Sequence, residues 1–406
     1  MAVTWLHVSD FHLSDGAPYD QVVILRALVS SVRRFREEGH VPDLIFATGD
    51  IAQQGKAKEY ESATNFFDDL LEAAGLNRDR LFIVPGNHDV DRKAGKFLLR
   101  TLDTNEDAYE YFDHETPTPH LTQKFQAFSE WYNDYFKTIR VFPANTTCSP
   151  VEIVTIRDSR ITVLPLNSAL FCIGDDDHEK LFVGRRCLDA AKKQLAASDL
   201  TVALIHHPLD WLRPFEQSNI ESDLEESVDL LLQGHFHQTS AKGLVSANGG
   251  YLKLAAGASY QTRNWPNSAM YGTFESNQVT IFPVRYEDKP RERWTLDTSL
   301  FPSPSYTGRL TIPGLTTSCN TNASRSVPSQ SDKQHTICHE RYQASLKKEL
   351  GYIKMLGMPG VESIKVNLNN DTFVPLRLSD RHDTARPSSA ENMPQENEHI
   401  LYPDEI

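Results

Sequence analysis

Over the first ninety residues, short apolar runs alternate with amphipathic stretches. "VTWLHV", Val3 to Val8, has the continuity of a buried strand. Between Asp20 and Glu38, Val22, Leu25, Leu28, Val29 and Val32 return to one face at helical spacing, and Gly39 stands where a helix ends. The strand "DLIFATGD" (Asp43 to Asp50), a helix near Lys56 to Ala74 and the strand "RLFIVPGN" (Arg80 to Asn87) complete a β-α-β-α-β order. That order predicts a layered α/β fold with polar residues collected at the carboxyl ends of its strands.

The rhythm changes after Asp91. The aromatic and charged segment from about 93 to 142 predicts a mostly helical insertion or cap; its rings, Trp131 among them, either pack as a helical core or stack on a substrate base. "SPVEIVTIRDSRITVLPLNS" (Ser149 to Ser168) predicts a hairpin around "RDSR", followed by a helix near Cys187 to Ala197 and the strand "LTVALIHHP" (Leu200 to Pro208). Strand-like runs at Val228 to Gln233, Tyr251 to Ala255, Gly272 to Glu275, Val279 to Tyr286 and Arg293 to Leu296 suggest a second sheet, with helices outside two facing sheets. One domain is expected over 1–298. About half of 299–333 is Ser, Thr or Pro, which predicts a flexible linker. A small helix-strand connector is expected over 334–379. It holds the amphipathic stretch "CHERYQASLKKELGYIKMLG" and the strand candidates "ESIKVNL" and "TFVPLRL". The polar, unpatterned 380–406 is expected to be disordered.

Composition narrows the function without naming it. The chain has 406 residues, 39% of them hydrophobic, enough for one large or two modest cores. No long apolar run or signal-peptide pattern is visible, so a soluble cytoplasmic protein with no membrane partner is expected. The net charge of −14 opposes broad attraction to nucleic acid or acidic membranes, although bound dications or a local basic groove would offset it. Five scattered cysteines without a Cys-x-x-Cys pair read as reduced thiols.

Chemistry appears at the strand ends. "SDFH" sets Asp10 and His12 two residues apart, on one side of an extended backbone. "TGD" ends on Asp50, with Gly49 leaving room beside it; "GNHD" supplies Asn87, His88 and Asp89; "LIHHP" supplies His206 and His207; "LLQGHFHQ" supplies His235 and His237. Singly, each fragment has an ordinary reading as a turn, a surface loop or a strand-end histidine. Together they bring oxygen and nitrogen donors to five strand ends, each after an apolar run.

Those five motifs, in this order across residues 3 to 296, resemble the calcineurin-like metallophosphoesterase family. The resemblance implies a four-layer α/β/β/α sandwich, here with a small α+β C-terminal extension, and hydrolysis of phosphate esters at a dinuclear metal centre. It implies that Asp10, His12, Asp50 and His237 hold one metal and that Asp50, Asn87, His206 and His235 hold the other, with Asp50 bridging. His206 is preferred to His207, since related sequences look like His-x-Pro with the ligand first. Mixed nitrogen and oxygen donors without thiolate suit two divalent or trivalent ions, Mn, Fe or Zn. The cations would lower the pKa of a shared water, whose hydroxide attacks phosphorus in line. The resemblance makes His88 the donor to the leaving oxygen, with Asp89 orienting its imidazole or raising its pKa.

Departures within the motifs bear on the substrate. The protein serine/threonine phosphatases of this superfamily read Gly-Asp-x-x-Asp-Arg-Gly and Gly-Asn-His-Glu, whereas this chain reads "GDIAQQG" and "GNHD". The expectation is a phosphodiesterase acting on a phosphate ester, a nucleotide being one candidate; phosphomonoesterase, nuclease and non-catalytic phosphate-binding module are the alternatives. "FVPLRLS" and the segment before it resemble the connector preceding the ATPase domain of NACHT-type signalling proteins, which implies a NACHT-type ATPase partner. No Gly-x-x-x-x-Gly-Lys-Ser/Thr occurs in the chain.

Overall fold

The structure is a computed structural model. It describes residues 2–95, 104, 106–107, 111–112, 122–143, 149–174, 177–195, 197–246, 249–262 and 266–313, with only backbone for 94–95, 352–354, 365–367, 376–378 and 399–401. The chain divides into two compact units, Met1–Thr321 and Asn322–Ile406.

Two sheets build the first unit. One contains β1 (Val3–Val8), β2 (Leu44–Ala47), β3 (Leu81–Ile83), β10 (Ser268–Glu275), β11 (Gln278–Glu287), β12 (Arg293–Leu296) and β13 (Gly308–Thr311), in the order β12-β11-β10-β1-β2-β3, with β13 also on β11. The other contains β4 (Glu152–Ile156), β5 (Ser159–Pro165), β6 (Leu200–Ile205), β7 (Leu230–Gln233), β8 (Thr239–Ser246) and β9 (Gly249–Ala256), in the order β4-β5-β6-β7-β9-β8. The strands β1, β2 and β3 are parallel, as are β5, β6, β7 and β9.

Alternation along the strands makes the layers. Trp5, Phe46 and Phe82 share one buried cluster with Val163, Val202, Leu204, Leu230, Leu232 and Leu252 of the second sheet. Their neighbours Leu6, Val8, Ile45, Ala47, Leu81 and Ile83 belong to another cluster, with Leu28 and Val32 of α1 (Tyr19–Glu37) and Phe67 and Leu70 of α2 (Ala57–Ala74). A period of two thus sends one set of side chains between the sheets and the other toward helices. Each fully buried Leu, Val or Phe contributes about 1.5–3 kcal/mol, so the two faces together hold the strand ends in place. The expected four-layer α/β/β/α sandwich is the architecture found.

The insertion departs from the idea of a substrate-stacking cap where it is described. Its helix α3 (Gln126–Phe136) packs on α2: Trp131 stacks on Tyr60 at 5.0 Å and donates to Thr64 Oγ1 at 3.0 Å, while the Tyr135 hydroxyl donates to Asp68. These rings are core. The fold also continues past the expected end at 298, because Gly308–Thr311 pairs antiparallel with Gln278–Ile281. A segment rich in Ser and Pro there serves as an edge strand.

In the second unit, Tyr352–Lys354 pairs antiparallel with Lys365–Asn367, and Leu376–Leu378 with His399–Leu401. Lys365–Asn367 of "ESIKVNL" and Leu376–Leu378, the last three residues of "TFVPLRL", are therefore strands. Within the stretch Cys338 to Gly357, expected to be a helix, Tyr352–Lys354 is a strand, and the tail expected to be disordered contributes the strand His399–Leu401. Beyond 313, the rest of the expected linker, connector and tail lies outside the described residues. No helix among the described residues is long and apolar enough to cross a membrane. Cys172 is free, but Cys187 is disulfide-bonded, against the expectation of reduced thiols throughout. Distance along the chain does not show which thiols meet in space.

One buried acid ties the second sheet's helices together. Glu216, in the first turn of α5 (Pro214–Ser227), accepts the N–H groups of Val183 and Gly184 at 2.7 Å each, fixing the start of α4 (Arg185–Lys192). Burial pushes its pKa up from 4.5 to about 7, against the pull of those two donors. Between these values the unfolded chain releases the proton first, so the folded state binds more protons and stability falls as pH rises through the window. Glu216→Gln should remove that slope: relative to the variant, the wild type should lose about 2–3 kcal/mol between about pH 4 and about pH 8 in urea titrations. Parallel pH profiles for the two proteins would refute the assignment.

Candidate metal centre

All five polar clusters follow strands at one edge of the two sheets: Asp10 and His12 after β1, Asp50 after β2, Asn87 to Asp89 after β3, His206 and His207 after β6, and His235 and His237 after β7. The structure brings them together. Asp10, His12 and His237 present ligand atoms within 4.8 Å of one another; so do Asp10, Asp50 and His206, and so do His12, Asp50 and His88. His206, His207 and His235 form a fourth such group. His237 Nε2 lies 3.2 Å from Asp10 Oδ1, and His206 Nε2 lies 3.4 Å from Asp50 Oδ2 and 3.1 Å from Asn87 Oδ1.

The local backbone is bent to achieve this. Asp10, His12, Asp50, His235 and His237 all have left-handed φ values, between 48° and 71°. A side chain costs energy in that region, and such strain persists only where the surroundings enforce it. Hydrogen bonds do so here: Phe11 and His12 N–H donate to the Asp50 carbonyl, Asp10 N–H to the Gly49 carbonyl, and His235 N–H to Asp10 Oδ2. Close approach is the second device. A Cβ on Gly86 would lie 2.2 Å from Asp50 Oδ1, and one on Gly49 2.6 Å from His206 Nδ1. Neither position has room for a side chain.

Electrostatics decide what the cluster can accept. Asp10 and Asp50 are fully buried, and burial alone would raise their pKa values; His206 and, for Asp10, also His237 hold both low, Asp50 well below the usual carboxylate range. Burial pushes His12 down to about 4 against the pull of Asp50 and Asp10. Burial opposes protonation of His206 too, yet Asp50 at its side raises it to about 9. His206 Nδ1 donates to the Thr48 carbonyl at 2.7 Å, which leaves Nε2 facing two oxygen acceptors, Asn87 and Asp50. His12 Nδ1 is buried without a hydrogen-bond partner, and Asp10 Oδ1 is buried with His237 Nε2 beside it at 3.2 Å. Lone pairs converging on one point, in a site with paired carboxylates, match what a cation demands, and the mixed N/O donor set fits a pair of such ions.

His206 and His207 separate clearly. His207 Nδ1 lies 2.8 Å from Ser168 Oγ, its Nε2 lies 3.6 Å from Cys172 Sγ, and its ring stacks on Trp211. Its polar atoms are thus occupied behind the cluster, whereas Nε2 of His206 faces Asp50 and Asn87. Burial, reinforced by charge on His206 and His235, holds His207 well below the ordinary histidine value.

Asp89 does not do what the sequence suggested. His88 Nδ1 pairs with the Gln53 carbonyl at 2.8 Å, while the Asp89 carboxylate turns away from it. It accepts N–H groups from Ile51 (3.1 Å), Ala52 (2.9 Å) and Gly86 (2.9 Å), and the Tyr60 hydroxyl at 3.1 Å. Neighbours in a 3-10 turn point in different directions, so adjacency of His88 and Asp89 along the chain gives no contact. Asp89 instead clamps the loop after β2 to the loop after β3, locking Asp50 and Asn87 in one frame. No periodicity could reveal this; a buried acid after "PGN" is its only trace.

The sequence model of calcineurin-like phosphoesterase matches residues 3–239. The chain belongs to this family. An uncharacterized metallophosphoesterase-like protein, YydB of Bacillus subtilis (strain 168), is 25% identical over 268 residues, 64% of this chain and 54% of that protein. The chain therefore spans about half the length of this curated relative. Among solved structures, that of PhoD matches at a TM-score of 0.50 with 10% identity, covering 86% of this chain and 78% of its own, a likeness of fold. A dimetal phosphatase from Danio rerio matches at a TM-score of 0.41 with 14% identity over 77% of this chain and 99% of its own.

In this phosphoesterase the clamp role of Asp89 is measurable. Asp89→Ala would strand three buried N–H groups and a hydroxyl and should lower unfolding free energy by about 3–5 kcal/mol, whereas Asp89→Asn keeps one acceptor oxygen and should cost less. Denaturant midpoints would decide it, and a loss under about 1 kcal/mol for the alanine variant would remove the clamp.

Proposed function

We propose that the protein is a dinuclear metal-dependent phosphodiesterase. In this reading Asp10, His12, Asp50 and His237 would hold one cation and Asp50, Asn87, His206 and His235 the other, with Asp50 shared between the two sets. The observation that carries it is the convergence of buried ligand groups, Asp10 with His12 and His237, and Asp10 and Asp50 with His206, each set with its ligand atoms within 4.8 Å of one another. When bound, two cations of the Mn, Fe or Zn kind supply the Lewis-acid charge that acidifies water and offsets charge on phosphate oxygens. The neutral carbonyl oxygen of Asn87 and the imidazoles limit the negative charge placed around them, preserving that acidity.

His88 is assigned the proton. Its Nδ1 is engaged by the Gln53 carbonyl, so Nε2 is the atom left to serve an ester oxygen, and the ring stands 4.7 Å from that of His12 at the edge of the cluster. A donor there stabilises the alkoxide as it leaves. Diester chemistry is favoured over phosphoprotein hydrolysis by "GDIAQQG" and "GNHD", which lack the Asp-Arg-Gly and His-Glu elements of the phosphoprotein enzymes.

Bis(4-nitrophenyl) phosphate should be hydrolysed in the presence of Mn²⁺ faster than 4-nitrophenyl phosphate, and chelation should abolish both. Absence of metal-dependent turnover of either would sink the enzyme reading in favour of a phosphate-binding module; dominance of the monoester would move it to a monoesterase. His88→Ala should slow esters with alkyl leaving groups by about 10²–10⁴-fold and 4-nitrophenyl esters much less, since the latter need little protonation. Equal losses on both would remove the acid role.

A further inference from the structure

The cluster has an aromatic rim that the proposed chemistry does not use. Phe236 sits between His235 and His237 and is 47% exposed. It is not on a loose tip: both neighbours are left-handed, and its N–H donates to the Gly234 carbonyl at 2.9 Å. Its ring lies 5.8 Å from that of His235. The Trp211 ring approaches that of His235 to 4.1 Å, edge to face, and stacks on His207. Exposed His178 extends the row, 5.7 Å beyond Trp211. Phe236, His235, Trp211 and His178, from three separate segments, are therefore linked ring to ring, with His235 of the cluster among them.

We infer that this rim, with Phe236 as its free face, stacks on the base of a nucleoside phosphate whose phosphate is held by the metal centre. The inference rests on the proposed reading of the cluster as a phosphate-ester site and adds its substrate class. A group that carries an anion beside a planar ring meets both features, and a nucleoside phosphate places its base one sugar away from phosphorus. Backbone constraint at 235–237 fixes the ring before the ligand arrives, which reduces the entropy lost on binding. The net charge of −14 opposes a long polyanion and so favours a ligand of mononucleotide size over nucleic acid. Stacking of a base on an aromatic side chain is worth about 1–3 kcal/mol, roughly 5- to 150-fold in affinity.

The test compares thymidine 5′-monophosphate with 2-deoxyribose 5-phosphate, which share the phosphate and sugar and differ in the base, by equilibrium titration of the full chain loaded with Mn²⁺. The wild type should bind the nucleotide at least about fivefold more tightly. Phe236→Ala should bring that ratio to near one, and Phe236→Tyr should keep it. Damage to His235 or His237 would weaken both ligands and leave the ratio unchanged, so the ratio reports the base alone. Equal affinities in the wild type, a preference that survives in Phe236→Ala, or binding of neither ligand would overturn the proposal. Turnover of methyl 4-nitrophenyl phosphate, which has no base, separates the two readings: turnover without base preference removes the rim and keeps the diesterase, and base preference without turnover does the reverse.

Discussion

Two carboxylates, Asp10 and Asp50, are buried side by side at the ends of adjacent parallel strands, and much of the surrounding structure follows from keeping them there. Like charges in a dry interior repel and lose their hydration, a cost that only compensating positive charge or a cation offsets. His206 and His237 lie against them, and His12 stands between. The left-handed turns at Asp10, His12 and Asp50 point these groups inward, and they are locked by main-chain bonds from one strand end to the next.

Both sheets contribute to the constellation. Asp10, His12, Asp50, Asn87 and His88 follow β1, β2 and β3, and His206, His235 and His237 follow β6 and β7 of the other sheet. The bond from His206 Nδ1 to the Thr48 carbonyl crosses from one sheet to the other at the site itself. The apolar layer of Trp5, Phe46 and Phe82 against Val202, Leu204 and Leu232 is therefore what sets the distance between the two ligand sets. Because interiors pack at crystal-like density, a lost methylene in that layer is felt as a displacement at the strand ends.

The layered fold and the residues of the cluster were legible in the sequence because both are local patterns: an apolar run gives the strand, and the polar residue after it gives the site. What was not legible depends on contacts between distant positions. The strand Thr239–Ser246 is largely exposed and contains Gly243, so it lacks the apolar alternation that marks a strand, and it forms only because β9 offers an edge. Helix α5 carries a mostly polar sequence with few apolar anchors, Ile220 and Leu224 among them, and Gly308–Thr311 is concealed in Ser- and Pro-rich composition. Asp89 was assigned to His88 by adjacency, whereas a 3-10 turn sends its carboxylate to Ile51, Ala52 and Gly86. Trp131, rich in functional suggestion, spends its ring on Tyr60 and its N–H on Thr64.

The same distinction between local and distant information separates the proposed base-binding rim from the cluster in this molecule. The clustered carboxylates and histidines sit on strand ends whose geometry is fixed by two sheets. The rings beside them come from the loop after β7, from the 3-10 turn at Leu209–Trp211 and from the loop around His178, three segments that only the fold unites. Loops tolerate substitution where strand ends do not, because fewer buried groups depend on them. Phe236 is the exception that joins the two systems: it is exposed like a loop residue, yet its neighbours on both sides belong to the cluster, so its position is as fixed as theirs while its side chain is free to meet a ligand.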